Sequence, residues 1–304
     1  MISIILPTYN RGSILDKTIN CVLEQTYTHF ELIIIDDNSN DNTKDVVNSY
    51  NDSRIKYFYN SINQGCALSR EVGFKHSKGD ILVFIDDDDK WNKDKLSKQI
   101  MLIENYDMVI SDYSIEKKDQ IEKKNMRPFG EYFKDEILKR PGPFFQSVMI
   151  KKEIVNKMKN PFDQESVPSE DWNFFIELSK LDLKIAYLNE SLFTWCVNKD
   201  SQSLNLKNEA RALSYIVTKH FDYLCEKTSK KNISNHYRRI ARIHEKLFLT
   251  SLETADIDKY YLKAFQIYPF SLKNCLYRAA IFFGYKRMRF LIDLMRRLRG
   301  VKNV

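Results

Sequence analysis

Residues 80–91 read DILVFIDDDDKW, in which a continuous apolar run is followed directly by four aspartates. An apolar run without alternation is typical of a strand that is buried on both faces of a parallel sheet. Two like charges about 4 Å apart repel by roughly 4 kcal/mol at an effective dielectric near 20. We therefore expect a buried strand that leads into a site where another group offsets this repulsion.

The segments on both sides of this stretch alternate between predicted strands and predicted helices. Strands are predicted at residues 3–6, 30–36, 54–60, 80–86 and 107–113, and helices at 13–23, 42–50, 65–77 and 92–104. This order predicts an α/β fold with a doubly wound, mostly parallel sheet, because parallel neighbours require crossover connections. The strand at 54–60 alternates apolar and polar residues, so we expect it near an edge of the sheet.

Two of the predicted helices carry recognisable end signals. Ser13 and Asp16 have the spacing of a capping box, which predicts the start of the helix at 13–23. Gly79 follows the helix at 65–77 and is expected to be the left-handed residue that ends it.

The composition indicates a folded protein of the cytoplasm. A chain of 304 residues, 43% hydrophobic and 13% aromatic, can bury a large core and is not expected to be disordered. The N-terminus lacks a basic region ahead of its apolar stretch, which argues against a signal peptide. No run reaches the ~18 to 20 apolar residues of a membrane span. The five cysteines lack C-x-x-C spacing and are typical of reduced thiols.

Residues 205–304 are predicted to form a helical region appended to a sheet domain at 1–204. Its helices are expected at 207–227, 233–252, 256–267 and 271–299. Residues 278–302 carry eight Lys and Arg side chains against one Asp, a net charge of +7 that equals that of the whole chain. The apolar residues between them recur every three or four positions, as in a basic amphipathic helix.

Such a helix over 277–302 is expected to lie on an anionic membrane surface, where each basic residue near the lipid contributes roughly 1 kcal/mol. This predicts a peripheral protein on the inner face of the cell membrane. The alternative is a terminal helix that packs its apolar face on the protein and leaves its basic face in water. Nucleic acid is not an expected partner, because the basic residues are confined to one terminal helix.

Polar clusters follow three of the predicted strands. They are PTYN at 7–10, the pair Asp36 and Asp37, and the acidic run 86–89. In doubly wound sheets the ligand lies at the carboxyl ends of the strands, so we expect these clusters to meet. Neither G-x-G-x-x-G nor G-x-x-x-x-G-K-[ST] occurs, so dinucleotide and P-loop phosphate binding are not indicated.

The acidic run is best explained by a divalent cation. A diphosphate that binds without a glycine-rich cradle requires another group to neutralise its charge. Carboxylate oxygens are the ligands that Mg²⁺ and Mn²⁺ prefer. The sequence therefore predicts a Mn²⁺ or Mg²⁺ ion that bridges the acidic run and a bound diphosphate.

Four segments together resemble family 2 glycosyltransferases of the GT-A fold. They are SIILPTYNR, ELIIIDDNSNDNT, NQGCALSREVGFKHSKGDILVFIDDDDKW and PSEDWNFFIELS. The resemblance covers roughly residues 1–200, in the expected order and spacing, and fades in the helical region. It implies an inverting enzyme that depends on a nucleotide sugar.

The resemblance also implies which residues bind the donor. They are Pro7, Thr8, Tyr9, Asp37, Asn63, Gly65, Arg70, Asp86 and Asp87. The first three would line the pocket of the base, and Asp37 would accept a hydrogen bond from a uracil ring N–H, so UDP is the expected nucleotide. Arg70 would meet a phosphate. In the alternatives, Asp36 and Asp37 cap the next helix, and Arg70 lies on the outer face of its own helix.

The family's D-x-D motif corresponds to the acidic run. It implies metal contact through Asp86 and Asp88, of which Asp88 is the stronger candidate. Alternate residues of an extended segment point to the same side, which leaves Asp87 pointing elsewhere. Asp89 is expected to brace the next turn. The alternative is a set of four solvated loop acids.

The acceptor side of the reaction is assigned to SEDW at 169–172. Ser169 is expected to cap a helix. By resemblance, Asp171 is the general base that takes the proton from the acceptor hydroxyl, and Glu170 binds or orients the acceptor. The alternative is that both acids only interact with the helix dipole, at about 0.3 to 1 kcal/mol each.

One segment departs from the family pattern. Many relatives have a histidine that can bind the metal in the segment that corresponds to 192–203, where this chain has Asn198 and Lys199. Either the metal is held more weakly, or Lys199 supplies a positive charge to the diphosphate. Metal dependence is therefore a weaker expectation than the donor site.

These residues predict an inverting glycosyltransferase that moves a hexose-type sugar from a nucleotide donor, UDP by resemblance, to a hydroxyl of a glycan acceptor. The expected acceptor is a lipid-linked oligosaccharide of surface polysaccharide, O-antigen or capsule synthesis. The alternative is a non-catalytic relative that binds a glycan, a partner or a membrane. The sequence does not indicate the sugar, the linkage or the oligomeric state.

Overall fold

The structure is a computed structural model that describes residues 1–117, 120–196, 205–251 and 256–282, without the side chains of 249–251 and 280–282. Internal contacts divide the chain into two compact units, Met1–Leu204 and Asn205–Val304. No helix in the described ranges is both long and apolar enough to cross a membrane.

The first unit combines a large sheet with helices. Its strands are β1 Ile2–Thr8, β2 Phe30–Asp36, β3 Ile55–Tyr59, β4 Ile81–Phe84, β5 Lys90–Trp91, β6 Met108–Lys117, β7 Gln120–Lys124, β8 Val148–Lys151 and β9 Ile185–Cys196. Its helices are α1 Leu15–Leu23, α2 Thr43–Asn48, α3 Cys66–His76, α4 Lys95–Ile103, α5 Arg127–Glu131, α6 Phe133–Lys139, α7 Lys152–Asn156 and α8 Glu170–Ser179. Each strand and helix predicted between residues 3 and 113 is present.

The strands follow the order β3-β2-β1-β4-β8-β6-β9-β5, and β7 pairs with β6. The half from β3 to β4 is parallel throughout, which confirms the predicted α/β class. β3 lies at the edge, as its alternating pattern predicts. In the other half, β8 runs antiparallel to both β4 and β6, whereas β6 and β9 are parallel.

The apolar runs of β1 and β2 are buried along their whole length. Parallel strands in the middle of such a sheet are covered by helices on both faces, which is why these runs do not alternate. Each buried Ile, Leu or Val contributes about 1.5 to 3 kcal/mol. The buried strands therefore hold their carboxyl ends in fixed positions.

The ends of β1, β2 and β4 lie side by side. Thr8 is paired with Asp36 across β1 and β2, and Ile5 with Phe84 across β1 and β4. Beyond the strands, the Asp37 N–H still donates to the Thr8 carbonyl at 2.9 Å. The three polar clusters thus meet at one edge of the sheet, which we call the carboxyl edge.

Both predicted helix-end signals are wrong. α1 begins at Leu15 without a described side chain as its cap, because the Arg11 carbonyl accepts the backbone N–H of Ile14 and of Leu15. α3 ends at His76, and the next residue, Ser77, has an extended backbone. Gly79 instead allows close approach to β1, since a Cβ there would lie 2.6 Å from the Met1 carbonyl oxygen.

The second unit is helical as far as it is described. Its helices are α9 Leu206–Lys219, α10 Phe221–Lys227, α11 Lys230–Ser251, α12 Ile257–Ile267 and α13 Leu272–Phe282. The buried Asn274 amide donates to the carbonyls of Ala264 and Tyr268 at 3.1 and 2.6 Å, which satisfies the end of α12. Arg238 donates to the Asn274 oxygen at 2.8 Å. Most of the predicted basic helix at 277–302 lies outside the described residues.

Candidate active site

A cavity of about 360 Å³ opens at the carboxyl edge. It is lined by all the residues that the sequence analysis assigns to the site, namely Pro7, Thr8, Tyr9, Asp37, Asn63, Gly65, Arg70, Asp86, Asp87, Asp88, Glu170 and Asp171. They come from five separate places along the chain. The fold therefore brings the candidate donor, metal and base residues into one cleft.

Asp37 organises one wall of this cleft. Its carboxylate accepts the backbone N–H groups of Gln64 and Gly65 at 3.0 and 2.7 Å and the Asn60 amide at 2.9 Å. Gly65 has a φ of +88°, and a Cβ there would lie 2.5 Å from the Gln164 side chain. These bonds hold the loop at 60–65 against the cleft.

The helix-cap alternative for the two acids after β2 is wrong. Asp36 accepts the Tyr57 hydroxyl at 2.7 Å and the Ser39 N–H at 2.8 Å. Asn42 occupies the N-cap position of α2. Both acids thus shape the carboxyl edge rather than the end of that helix.

Arg70 lies between the two acidic groups of the cleft. Its Nη2 donates to Asp86 Oδ1 and its Nη1 to Glu170 Oε1, both at 2.8 Å. The residue is 4% exposed, so the alternative of a helix-face arginine is wrong. Its guanidinium also lies 4.9 Å above the Phe145 ring centroid. Arg70 therefore ties the acidic run to the start of α8 while it lines the cavity.

The acidic run turns away from β4 directly after the strand. Asp86 also accepts the Gln146 side-chain amide, and Asp87 Oδ1 lies 3.7 Å from Arg11 Nε. Asp88 lines the cavity and is half-buried. Asp89 is 2% exposed and accepts the backbone N–H of Cys196 at 3.2 Å, so it anchors the end of β9 instead of the next turn. The alternative of four solvated acids is therefore wrong.

The carboxylates of the run are crowded together at the edge of the cavity, and three of the four are only partly buried. Burial raises the pKa of Asp87 to about 7. Burial also raises the pKa of Asp86, against the lowering effect of Arg70, and raises that of Asp89 well above its usual range. Several carboxyl groups that ionise reluctantly in one place favour the arrival of a cation.

The carboxylates of the acidic run are compatible with a hard divalent ion. Among the described residues, no three His, Cys, Asp or Glu side chains are grouped so that they could hold a metal by themselves. Mg²⁺ typically uses one or two carboxylates together with substrate phosphates and water, and needs no such cage. Asp88, with Asp86 beside it, fits this arrangement. Asn198 and Lys199 lie outside the described residues.

The start of α8 lines the same cavity. Ser169 occupies its N-cap position, although no described contact of its side chain caps the helix. Asp171 Oδ2 accepts the Phe145 N–H at 3.4 Å. Burial, together with the negative charge of Glu170, raises the pKa of Asp171 well above its usual range. A carboxylate made more basic in this way is suited to accept a proton.

Glu170 is held by contacts that a free helix-end acid would lack. Its Oε1 accepts Arg70 Nη1 and the Cys66 thiol, the latter at 3.3 Å. Its side chain is 12% exposed. The helix-dipole alternative does not account for these contacts.

Several lining residues were not predicted for the site. They are Arg11, Cys66, Ser69, Asp89, Phe144, Gln146, Pro168, Phe193 and Trp195. Gln146 and Phe144 belong to the segment PGPFFQSVM at 141–149, which the sequence suggests as one of the loops that select the acceptor, although it does not single out these two residues. The segment reaches the cleft because β8 inserts beside β4. The available signal was a polar Gln within an apolar segment. The antiparallel pairing of β8 with β4 and β6 could not be inferred from local sequence.

A second cavity, of about 550 Å³, lies beside β5 and β9. Its lining includes Lys90, Lys123, Asp112 and Glu190 and shares Phe193 with the first cavity. Among the described residues, none of those that line this cavity was assigned to the site from the sequence. The acidic cavity is therefore the candidate active site.

Comparisons with known proteins agree with this fold. The model of glycosyl transferase family 2 matches residues 3–158. Over 191 residues the chain is 33% identical to UDP-Glc:alpha-D-GlcNAc-diphosphoundecaprenol beta-1,3-glucosyltransferase WfgD of Escherichia coli, with 62% of this chain and 73% of that protein covered.

Two solved structures share the fold. S. aureus TarS in complex with UDP-GlcNAc matches with a TM-score of 0.69 at 16% identity, covering 88% of this chain and 81% of that chain. The mannosyltransferase PcManGT from Pyrobaculum calidifontis, in complex with GDP-Man and Mn²⁺, matches with a TM-score of 0.56 at 16% identity, covering 95% and 82%. These likenesses confirm the predicted GT-A architecture.

Proposed function

The chain belongs to glycosyl transferase family 2 and is a glycosyltransferase, and on that premise we propose that it is an inverting enzyme that transfers a hexose-type sugar from a nucleotide donor to a glycan hydroxyl. The observation that carries this proposal is the convergence of Asp171, Glu170 and the acidic run on one cavity, with Arg70 bonded to both sides. This convergence also favours the enzyme over a non-catalytic relative.

In the proposed reaction, Asp171 takes the proton of the acceptor hydroxyl. At the same time, the oxygen of that hydroxyl attacks the anomeric carbon of the donor sugar. The bond from that carbon to the diphosphate breaks on the opposite face, so the configuration inverts in one displacement. Glu170, held by Arg70, orients the acceptor. The nucleoside diphosphate leaves with the bonding electron pair.

The proposed metal residues are Asp88 and Asp86. A bound Mn²⁺ or Mg²⁺ would supply Lewis-acid neutralisation of the charge on the leaving diphosphate. The raised pKa values of Asp86, Asp87 and Asp89 support a cation at this position. Among the structural relatives, PcManGT is described with Mn²⁺.

The proposed donor is a UDP-sugar, held at the wall formed by Pro7, Thr8, Tyr9 and Asp37. The geometry supports this because the Asp37 carboxylate is immobilised by backbone donors while still lining the cavity. The relative WfgD is named for UDP-Glc, and TarS was solved with UDP-GlcNAc. Asn63, Gly65 and Asp87 complete the proposed donor site.

The proposed acceptor is a sugar on a lipid diphosphate of a surface polysaccharide pathway, as the name of WfgD suggests by analogy. Such an acceptor would require the enzyme at a membrane. Exposed apolar residues precede the basic segment, with Phe270 at 88% and Leu272 at 74% exposure, and these support peripheral attachment through the C-terminal region. We propose location at the inner face of the cell membrane.

The experiment that tests the donor proposal is a thermal-shift panel of UDP, GDP, CDP and dTDP, each with Mn²⁺, Mg²⁺ or EDTA. A ligand at a hundredfold excess over its dissociation constant stabilises the folded state by about 2.7 kcal/mol. We expect UDP to raise the melting temperature in the presence of metal and to lose most of this effect in EDTA. Stabilisation by another nucleotide alone, or by none, would overturn the donor assignment.

A further inference from the structure

Two aromatic side chains of the cavity take no part in the roles proposed so far. Phe144 and Trp195 line the cavity together with Asp171 and the acidic run. Both are only partly buried. Their ring centroids lie 5.5 Å apart at an interplanar angle of 50°. The two rings therefore form one aromatic surface in the cleft, which we call the aromatic platform.

Backbone contacts place this platform between the two halves of the proposed reaction. The residue after Phe144 donates its N–H to Asp171 Oδ2 at 3.4 Å. The residue after Trp195 donates its N–H to Asp89 Oδ1 at 3.2 Å. One ring is thus anchored beside the candidate base and the other beside the acidic run.

The platform is supported from beneath by two further rings. Tyr113 contacts Phe144 edge to face, with centroids 5.2 Å apart and an angle of 85°. Tyr113 also stacks on Phe193 at 5.2 Å and 15°. These supporting residues are buried, at 7% and 2% exposure. Close packing of this kind keeps the platform in one orientation without a ligand.

Two oxygens of the cleft still lack hydrogen-bond donors. Glu170 Oε2 and Gln146 Oε1 are buried and have no partner within the described part of the chain. Buried polar atoms are nearly always paired in folded proteins, because leaving one unpaired costs about 1 to 3 kcal/mol. Glu170 and Gln146 both line the cavity beside the platform, so their side chains match the chemistry of a ligand that carries hydroxyl groups.

A pyranose ring has the chemistry that matches both features. Its axial C–H bonds form an apolar face that covers an aromatic ring, and its rim carries hydroxyl groups that donate hydrogen bonds. We propose that the aromatic platform binds the pyranose ring of the acceptor sugar, with its hydroxyls directed to Glu170 and Gln146. This inference rests on the proposed function, because it assigns the acceptor subsite of the same cavity.

The other planar ligand that could stack here is the nucleobase of the donor. A base on the platform would lie beside Asp171 and Asp89, whereas the base is proposed to bind at Asp37. The test must therefore separate the binding of the acceptor from that of the nucleotide.

The variants are Trp195→Ala and Phe144→Ala, with Trp195→Phe as the conservative replacement that keeps a ring. Tyr132→Ala serves as the control, because Tyr132 is 62% exposed and does not line the cavity. Transfer from a UDP-sugar is measured to an alkyl α-GlcNAc diphosphate and to nitrophenyl glycosides of glucose, galactose and GlcNAc. UDP affinity is measured in parallel by thermal-shift titration.

We expect each alanine variant to raise the acceptor KM about tenfold, which corresponds to ~1.4 kcal/mol of lost binding. UDP affinity should stay unchanged, and Trp195→Phe and the control should keep a KM near that of the wild type. An unchanged acceptor KM in both alanine variants would overturn the platform, and so would a parallel loss of UDP affinity. A wild-type protein that binds UDP but transfers to none of these acceptors would overturn the proposed function itself.

Discussion

Arg70 donates from Nη1 to Glu170 Oε1 at 2.8 Å, which joins helix α3 to the first turn of α8 across a hundred residues of chain. The same guanidinium donates from Nη2 to Asp86 at the end of β4. One cation thus sets the distance between the proposed acceptor residues and the proposed donor residues. Substitutions at this position should therefore affect stability and transfer together.

Replacing Arg70 by Ala should lower the free energy of unfolding by about 3 to 5 kcal/mol, because removal of one partner leaves buried carboxylates without their cation. Arg70→Lys should recover only part of this loss, since an ammonium group lacks the two terminal nitrogens with which the guanidinium reaches both carboxylates. Urea unfolding measures the effect. The exposed pair of Arg127 with Glu131 supplies the control, and Arg127→Ala should change stability far less. Equal losses in the two alanine variants would contradict the bridging role.

Replacing Asp171 by Asn should reduce kcat about 100- to 10,000-fold, because an amide cannot accept the proton of the acceptor hydroxyl. UDP binding should change little, since the proposed nucleotide wall lies at Asp37. Asp182→Asn, at a fully exposed side chain, is the matched control. Normal turnover by Asp171→Asn would rule out its assignment as the base.

Replacing Asp88 by Asn should remove most of the Mn²⁺-dependent part of the UDP thermal shift, because the variant retains the nucleotide wall but loses the favoured metal ligand. Asp80→Asn is the control at the opposite end of the same segment, where the side chain is 93% exposed. A metal-dependent shift of the same size in the Asp88 variant would place the ion elsewhere.

Lys95 should make stability depend on pH. It is fully buried, donates to Gln99 Oε1 at 2.7 Å, and burial lowers its pKa to about 7. Between pH 7 and the ordinary lysine pKa near 10.4, the unfolded state binds the proton and the folded state does not, so stability rises with pH in this window.

The comparison of wild type with Lys95→Met isolates this contribution. Between pH 7 and pH 9, the wild type should gain roughly 2 to 3 kcal/mol relative to the variant in urea unfolding. Lys98→Met, on the outer side of the same helix, should show the same pH profile as the wild type. Parallel profiles for wild type and Lys95→Met would mean that Lys95 remains charged in the folded protein.

The exposed apolar residues of the helical unit should contribute to membrane binding. The double variant Phe270→Ser and Leu272→Ser should bind vesicles that contain phosphatidylglycerol more than about 100-fold more weakly, since each lost apolar side chain removes roughly 1.5 to 3 kcal/mol when fully buried in lipid. Ile121→Ser, at an equally exposed position of the sheet unit, is the control. Undiminished sedimentation of the double variant with these vesicles would contradict insertion at this position.

The sequence by itself determined the alternation of strands and helices and the edge at which the polar clusters lie. The reason is physical and local: uninterrupted runs such as FELIIID must be buried on both faces, and the carboxyl ends of parallel strands share one edge. The polar clusters that follow β1, β2 and β4 line the same cavity for this reason.

Only the tertiary structure decided how these residues are partnered. The insertion of β8 between β4 and β6 is a long-range antiparallel pairing, and it brings Gln146 to Asp86 and Phe144 to Trp195. Arg70 also joins two carboxylates, Asp86 and Glu170, a pairing that the motifs did not indicate. Such partners depend on packing between segments that are 16 to 100 residues apart, which local propensity and motif spacing do not encode.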